Sequence, residues 1–199
     1  MNSIAILLFD GVEELDAVGP WEVFAWAAKE GSPPKPMSVF TLSGDGAPVT
    51  CGKGMVITPD HSFETAPQID ILLIPGGPGT RPMIKDEAML DWVRKTAAGC
   101  TWITAVCTGA MVLAKAGLAK GKRITTYHDV VEPMRQWSDA EVLAGVRFVR
   151  DGNLVTSAGV SAGIDMALWL VGQLAGADYA REVQQGIEYF PAPPYSYEA

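Results

Sequence analysis

The residue with the clearest chemical potential is Cys107, which follows the apolar stretch "TWITAV" and precedes "TGA". A strand, a cysteine, small residues and then a helix is the layout of a nucleophile elbow, where small residues permit a tight turn. The free N–H groups at a helix N-terminus favour thiolate over thiol, so we expect a depressed pKa for Cys107. The alternative is a small buried core residue, which is our interpretation of Cys51 and Cys100.

A second group of chemical interest is the pair Gly76 and Gly77 in "PGGPGT", which closes the apolar strand "IDILLI". Glycines after a buried strand expose backbone N–H groups. The N–H of Gly77, together with that of Thr108, could hold negative charge that develops on a substrate. The alternative is a plain β-turn. The stretch lacks the Lys-Ser/Thr pair of a P-loop and the G-x-G-x-x-G spacing, so phosphate binding is a weak hypothesis.

The third group lies in "DGVEELDAVGP", which follows the first apolar run. Asp16 has apolar neighbours on both sides, and a carboxyl in such surroundings should have a raised pKa and carry a proton near neutral pH. If Asp16 lies within hydrogen-bond reach of Cys107, the two form a proton relay. We interpret Glu13 and Glu14 as solvated loop residues.

Histidine and metal chemistry have little support. His128, in "TTYHDVVEP", could be a base, but an exposed loop histidine is an equal alternative. The three cysteines and two histidines show neither C-x-x-C nor H-x-x-x-H spacing, so we expect no metal site.

The order of elements determines where these residues meet. Buried apolar runs alternate with helical patterns, which predicts a mainly parallel sheet covered on both faces, with the chemistry beyond the carboxyl ends of the strands. A helix is expected to begin at Pro20, because proline suits the first helical position. The strands are expected at 3–9, 37–42, 49–51, 55–57, 69–74 and 101–106, with a hairpin about residues 151–153 and later helices in 86–98, 108–117, 161–176 and 178–190.

Length, composition and charge limit the number of domains, the classes of binding partner and the cellular compartment that we expect. The 199 residues, with neither a repeat nor a long linker, are expected to form one domain over residues 1–199. A formal charge of −8 argues against nucleic acid or an anionic membrane as the main partner. The N-terminus has no basic region typical of a signal peptide, and free thiols suit a reducing compartment, so we expect a cytoplasmic protein.

Taken together, these stretches resemble the ThiJ/PfpI family of the class I glutamine amidotransferase-like superfamily. The motifs are "ILLFDGVEELDAVGPWEVF", "IDILLIPGGPGT", "VCTGAMVLAKAGLAKGKRITT", "DGNLVTSAGVSAGID" and "IEYFPAPP". The resemblance implies a flavodoxin-like three-layer α/β/α sandwich, a homodimer and a small-molecule substrate. It further implies Cys107 as the nucleophile and Asp16 as its acidic partner, with Thr108, Gly76 and Gly77 completing the site and no cofactor. The motifs "LDAVGP", "AVCTGA", "SAGVSAGID" and "EYFPAPP" are most similar to the branch that hydrates isonitriles.

Several positions depart from other branches of this family. Peptidase-like members have His where Thr108 stands, amidotransferases have a late His-x-Glu that is absent here, and the glyoxalase and deglycase branch favours Glu where Asp16 stands. Isonitrile-hydrating members tend to have Thr-Thr-His-Trp where this chain has "TTYH", with Tyr127 and His128 at the last two positions. The resemblance therefore does not determine which residues form the walls of the substrate pocket. The alternatives are a glyoxalase or deglycase acting on small aldehydes, and a non-enzymatic redox sensor or holdase.

Overall fold

The computed structural model describes residues 2–192, whose largest element is a seven-stranded sheet. The strands of the chain are Asn2–Leu7 (β1), Met37–Ser43 (β2), Val49–Thr50 (β3), Val56–Ile57 (β4), His61–Ser62 (β5), Ile71–Ile74 (β6), Trp102–Val106 (β7), Arg123–Ile124 (β8), Glu141–Val142 (β9), Phe148–Asp151 (β10) and Leu154–Ser157 (β11). The large sheet has the order β10–β11–β7–β6–β1–β2–β5, while β3 pairs with β4 and β8 pairs with β9. All neighbours in the large sheet are parallel except β10 and β11, which form an antiparallel hairpin.

Helices cover both faces of this sheet. They are Glu14–Lys29 (α1), Thr80–Met83 (α2), Glu87–Ala97 (α3), Gly109–Lys115 (α4), Val131–Trp137 (α5), Ala162–Ala175 (α6) and Ala177–Gly186 (α7), with a 3₁₀ turn at His128–Val130. Alternate residues of a strand point to opposite faces, so Ile4 and Ile6 of β1 pack with α1, α6 and α7, whereas Leu7 packs with α3, α4 and α5. The expected three-layer α/β/α sandwich with a mainly parallel sheet is therefore confirmed.

The start of α1 differs from the sequence-based prediction. The helix begins at Glu14, and Pro20 lies inside it, although proline cannot donate an N–H to the carbonyl of Asp16 one turn earlier. Close packing against α6 compensates for the lost hydrogen bond: a Cβ on Gly19 would lie 3.0 Å from Ile164, and one on Gly163 would lie 3.1 Å from the Pro20 ring. As a consequence, Asp16 belongs to the first turn of a helix and not to a loop.

The other predicted elements are present with bounds shifted by a few residues. The strands β3 and β4 pair antiparallel, and the hairpin of β10 and β11 turns at Gly152, which has φ 64°. Asp86 caps α3 by accepting the N–H groups of Ala88 and Met89. The predicted irregular tail "PAPPYSYEA" falls mostly on residues 193–199, which lie outside the described part of the chain. Within residues 2–192, none of the helices combines the length and apolar character needed to cross a bilayer.

Candidate active site

Cys107 occupies a strained turn between β7 and α4. Its φ of 57° is unusual for a residue other than glycine, as expected of a nucleophile elbow. Hydrogen bonds to both backbone polar groups of Cys107 fix the turn. The Cys107 N–H donates to Ser157 O at 3.1 Å, and the Cys107 carbonyl accepts from Thr126 Oγ1 at 2.8 Å. Gly109 allows the start of α4 to lie close to the end of β6, since a Cβ on Gly109 would lie 2.1 Å from Ile74 O.

Asp16 lies fully buried next to Cys107. Its Oδ2 accepts the N–H of Gly76 at 2.8 Å, while Oδ1 is buried without a conventional hydrogen-bond donor among the described residues. Burial raises the pKa of Asp16 to about 7, and the nearby charge of Glu13 acts in the same direction. The hydrogen bond from the Gly76 N–H and the neighbouring Cys107 side chain oppose this shift in the pKa of Asp16. Asp16 can therefore exchange a proton near neutral pH, as its apolar sequence neighbours predicted.

The depressed pKa expected for Cys107 is wrong for this arrangement. Burial, followed by the Asp16 charge, raises the pKa of the Cys107 thiol to about 12. The backbone N–H groups of Thr108 and Val160 lower the pKa by donating toward the sulfur, but they do not overcome burial. The N-terminus of α4 does not depress the thiol pKa, because α4 has only seven residues and Cys107 is 5 % exposed. In the resting pair, the thiol keeps its proton and Asp16 titrates first.

Gly76 and Gly77 serve neighbouring side chains. The Gly77 N–H donates to Thr108 Oγ1 at 2.9 Å, and Thr80 Oγ1 lies 3.1 Å from the same oxygen. The Gly76 N–H donates to Asp16. Since both glycine N–H groups already have acceptors within the protein, neither is available to hold negative charge on a substrate, and the predicted role of Gly77 is not supported. The two glycines instead position Asp16 and Thr108. The groups that lower the pKa of the Cys107 thiol are the N–H groups of Thr108 and Val160 and the Thr108 hydroxyl.

A pocket of about 790 Å³ opens above the sulfur. Its wall includes Tyr127, whose ring takes the space that a side chain on Gly159 would need, since a Cβ there would lie 2.5 Å from Tyr127 Cδ2. The complete lining is Glu13, Lys53, Gly77, Pro78, Arg81, Cys107, Thr108, Tyr127 and Val160. The pocket thus brings together Cys107, Thr108 and Gly77 from the predicted set, with Asp16 and Gly76 directly beneath them.

His128 does not belong to this pocket. It is exposed, lies 2.9 Å from Asp129 through Nδ1, and lines a separate cavity of about 390 Å³. Among residues 2–192, there is also no cluster of three or more His, Cys, Asp or Glu residues suited to a metal ion.

Sequence reasoning missed three contributors to the site. Glu13 is not a freely solvated carboxylate, because its side chain is 16 % exposed and pairs with Lys53 at the pocket mouth. Val160, from "SAGVSAG", has φ 50°, which is rare for a β-branched residue and turns its N–H toward the sulfur. Arg81 lines the pocket and donates to Gly77 O at 2.8 Å. The small residues around Val160 were the only available signal of its unusual backbone.

The sequence profile of the DJ-1/PfpI family matches residues 2–173, and the chain belongs to this family. It is 42% identical over 195 residues to isonitrile hydratase of Pseudomonas putida, covering 96% of this chain and 80% of that protein. It is 31% identical to protein DJ-1alpha of Drosophila melanogaster, covering 92% of this chain and 82% of that protein.

The fold is shared with solved members of the family. A ThiJ/PfpI family protein from Pseudomonas syringae superimposes with a TM-score of 0.87 at 32% sequence identity, covering 98% of this chain and 77% of that chain. This similarity confirms the ThiJ/PfpI resemblance and the flavodoxin-like architecture that the sequence motifs implied.

Proposed function

We propose that the protein is an isonitrile hydratase-like lyase that converts an isonitrile, R–N≡C, into the N-substituted formamide. The observation that carries the proposal is the buried pair of Cys107 and Asp16, in which a thiol at a strained elbow faces a carboxyl with a pKa of about 7. The identity of 42% to the Pseudomonas putida isonitrile hydratase supports the same reaction class.

The first step is addition of the thiol across the terminal carbon. Ionised Asp16 accepts the Cys107 proton as the sulfur bonds to that carbon, and protonated Asp16 then gives the proton to the same carbon. The product is a thioimidate, Cys107–S–CH=N–R, which contains every atom of the thiol and the isonitrile. A raised pKa makes Asp16 a better base than an ordinary carboxylate, so it partly offsets the high pKa of the thiol.

The second step is hydrolysis of the thioimidate. Asp16, ionised again, takes a proton from water while the oxygen attacks the imidate carbon, and it gives this proton to the nitrogen, which leaves Cys107–S–CH(OH)–NH–R. Collapse of this tetrahedral carbon breaks the C–S bond and forms the carbonyl of the formamide, R–NH–CHO, and the hydroxyl proton passes through Asp16 to the departing sulfur, which restores the Cys107 thiol. The Thr108 and Val160 N–H groups stabilise negative charge on the departing sulfur. The scheme requires neither a metal nor an organic cofactor.

An assay with three substrates separates this proposal from its alternatives. Wild-type protein, Cys107→Ser and Cys100→Ser are incubated with cyclohexyl isonitrile, methylglyoxal or a peptide p-nitroanilide. Cys100 is the matched control, because it is a buried thiol whose sulfur is hydrogen-bonded to Thr96 O at 3.2 Å. We expect formamide from wild type and Cys100→Ser, and none from Cys107→Ser.

Other outcomes of the same assay would contradict the hydratase. Conversion of methylglyoxal to lactate through Cys107, with no formamide, would establish the glyoxalase alternative. No turnover of any substrate, together with Cys107-dependent protection against oxidants in cells, would favour the redox sensor.

We further propose a cytoplasmic homodimer. The three cysteines are free and buried, which suits a reducing compartment, and Leu15, Val18 and Met55 are apolar side chains exposed to solvent. Light scattering at micromolar concentration should give twice the mass of one chain. A monomer under these conditions would contradict the dimer.

A further inference from the structure

Arg81 is a cation of the Cys107 pocket without an acidic side chain in contact, and it is relevant to the kind of substrate the site takes. Arg81 lines this pocket, and its Nη1 donates to Gly77 O at 2.8 Å and to Thr80 Oγ1 at 3.3 Å. Both acceptors are neutral. These contacts hold the guanidinium beside the turn that carries Gly77, while its remaining N–H groups stay free to bind a ligand.

The other arginines of the chain are compensated in a different way. Of the seven arginines, all within residues 2–192, five have a carboxylate within 4 Å: Arg94, Arg123, Arg135, Arg147 and Arg181. Arg150 stacks over Trp102 with its guanidinium carbon 5.5 Å from the ring centroid. Arg81 alone among them has neither an acidic nor an aromatic partner in the described part of the chain.

The carboxylates near this pocket contact Lys53 and not Arg81. Lys53 pairs with Glu13, and its Nζ lies 3.8 Å from Glu14 Oε2. Glu14 is further occupied by the backbone N–H of Lys53 at 2.7 Å. Pro78, Val160 and the Tyr127 ring add apolar surface to the same pocket. A ligand that fits these lining residues has a reactive end at Cys107, an apolar part and an anion that binds Arg81.

We propose that Arg81 recognises a carboxylate on the substrate, so that the preferred substrates are isonitriles whose N-substituent ends in a carboxylate. This inference rests on the proposed function for the reaction, but the anion preference of the pocket can be measured without it. A guanidinium binds a carboxylate through two parallel N–H···O bonds, and Arg81 has N–H groups free for this purpose.

The test compares charged and neutral reagents of nearly equal size at Cys107. Iodoacetate and iodoacetamide both alkylate the sulfur with loss of iodide, and the ratio of their rate constants reports the local preference for an anion. The variants are Arg81→Gln and Arg81→Lys, with Arg150→Gln as the control that removes the same charge outside the pocket. Peptide mass spectrometry follows the Cys107 peptide in each protein.

We expect the ratio of iodoacetate to iodoacetamide rates to fall about fivefold in Arg81→Gln, the effect of losing one partly screened ion pair. Arg81→Lys should keep part of the preference, and Arg150→Gln should match wild type. The wild-type ratio should decrease as ionic strength rises. An unchanged ratio in Arg81→Gln, or an equal decrease in Arg150→Gln, would overturn the inference.

A second arm uses turnover of isocyanoacetate and its methyl ester. The proposal predicts that Arg81→Gln lowers kcat/KM for the acid relative to the ester by a similar factor. If wild type hydrates cyclohexyl isonitrile but neither of these compounds, the carboxylate preference is wrong and the hydratase stands. If wild type hydrates none of the three, the hydratase proposal fails, while the alkylation ratio still decides the role of Arg81. If both are hydrated with the same relative kcat/KM in wild type and Arg81→Gln, the carboxylate preference is wrong and the hydratase stands.

Discussion

The backbone N–H of Gly76 donates to Asp16 Oδ2 at 2.8 Å and thereby joins the turn after β6 to the first turn of α1. A Cβ on Gly76 would lie 2.5 Å from the Thr108 N and 2.8 Å from that same carboxylate oxygen. The absence of a side chain at this position therefore allows Asp16 and the Cys107–Thr108 turn to come together.

Gly76→Ala should separate Asp16 from the elbow. We expect kcat/KM to fall by at least about 10²-fold, because a proton-transfer group moved out of reach loses its contribution. Gly172→Ala is the control, since a Cβ on Gly172 of α6 would make only an ordinary contact of 3.6 Å with Ala180 of α7. Steady-state kinetics, with circular dichroism to verify folding, measures both. Wild-type kinetics in a folded Gly76→Ala protein would contradict the positioning role.

The pH dependence of activity should reflect Asp16. Ionised Asp16 is needed to accept the thiol proton, so kcat/KM should rise as pH increases through about 7 and then remain level. In Asp16→Asn this rise should vanish, and the rate should drop roughly 10²–10⁴-fold. Measurements of kcat/KM and of the rate of Cys107 alkylation over a series of pH values, in wild type and in Asp16→Asn, test both expectations. A rise near pH 7 that survives in Asp16→Asn would assign the titration to another group.

Thr108 is predicted to contribute through its hydroxyl. Thr108→Val leaves the buried Gly77 N–H without its acceptor, which should lower the melting temperature and reduce kcat/KM about tenfold. Thr108→Ser keeps the hydroxyl and should restore most of both quantities. Thermal unfolding and kinetics of the two variants provide the comparison. Equal values for Val and Ser would show that the hydroxyl has no such role.

Asp16 should also make stability depend on pH. Its pKa is about 7 in the folded protein against a usual value of 3.8, so between these values the folded state binds more protons than the unfolded state. The contribution of Asp16 to the free energy of unfolding therefore decreases as pH rises from about 4 to 7, by on the order of 4 kcal/mol, and is constant above pH 7.

The measurement for this pH effect is chemical denaturation at several pH values. Asp16→Asn should gain stability relative to wild type across the same window, whereas Glu22→Gln, an exposed residue of α1, should follow wild type. A constant difference between Asp16→Asn and wild type from pH 4 to 8 would contradict the raised pKa of Asp16.

Local sequence patterns predict most of the fold. Apolar runs such as 69–74 and 101–106 are unambiguous because strands buried on both faces need apolar residues throughout. The elbow at Cys107 was equally readable, because strand, cysteine and small residues form one contiguous pattern. The prediction of one domain over residues 1–199 remains a prediction.

What the sequence did not reveal depends on contacts between distant segments. The beginning of α1 was misplaced because packing of Gly19 and Pro20 against α6 outweighs the local preference of proline for a helix start. The thiol pKa was misjudged because burial of Cys107 involves α1 and the turn at Val160, which are remote in sequence. The Gly77 N–H was assigned to substrate because its partner, Thr108 Oγ1, lies 31 residues away.

The proposed reaction depends on covalent addition of Cys107 to the terminal carbon of an isonitrile. Single-turnover reaction of excess protein with cyclohexyl isonitrile, followed by intact and peptide mass spectrometry, detects this addition. We expect an adduct with the full mass of the isonitrile, because nothing leaves in the first step. This adduct should be confined to the Cys107 peptide and should decay as formamide appears. Cys107→Ala should form neither adduct nor formamide, and a Cys107→Ala protein that makes formamide at the wild-type rate would contradict the account.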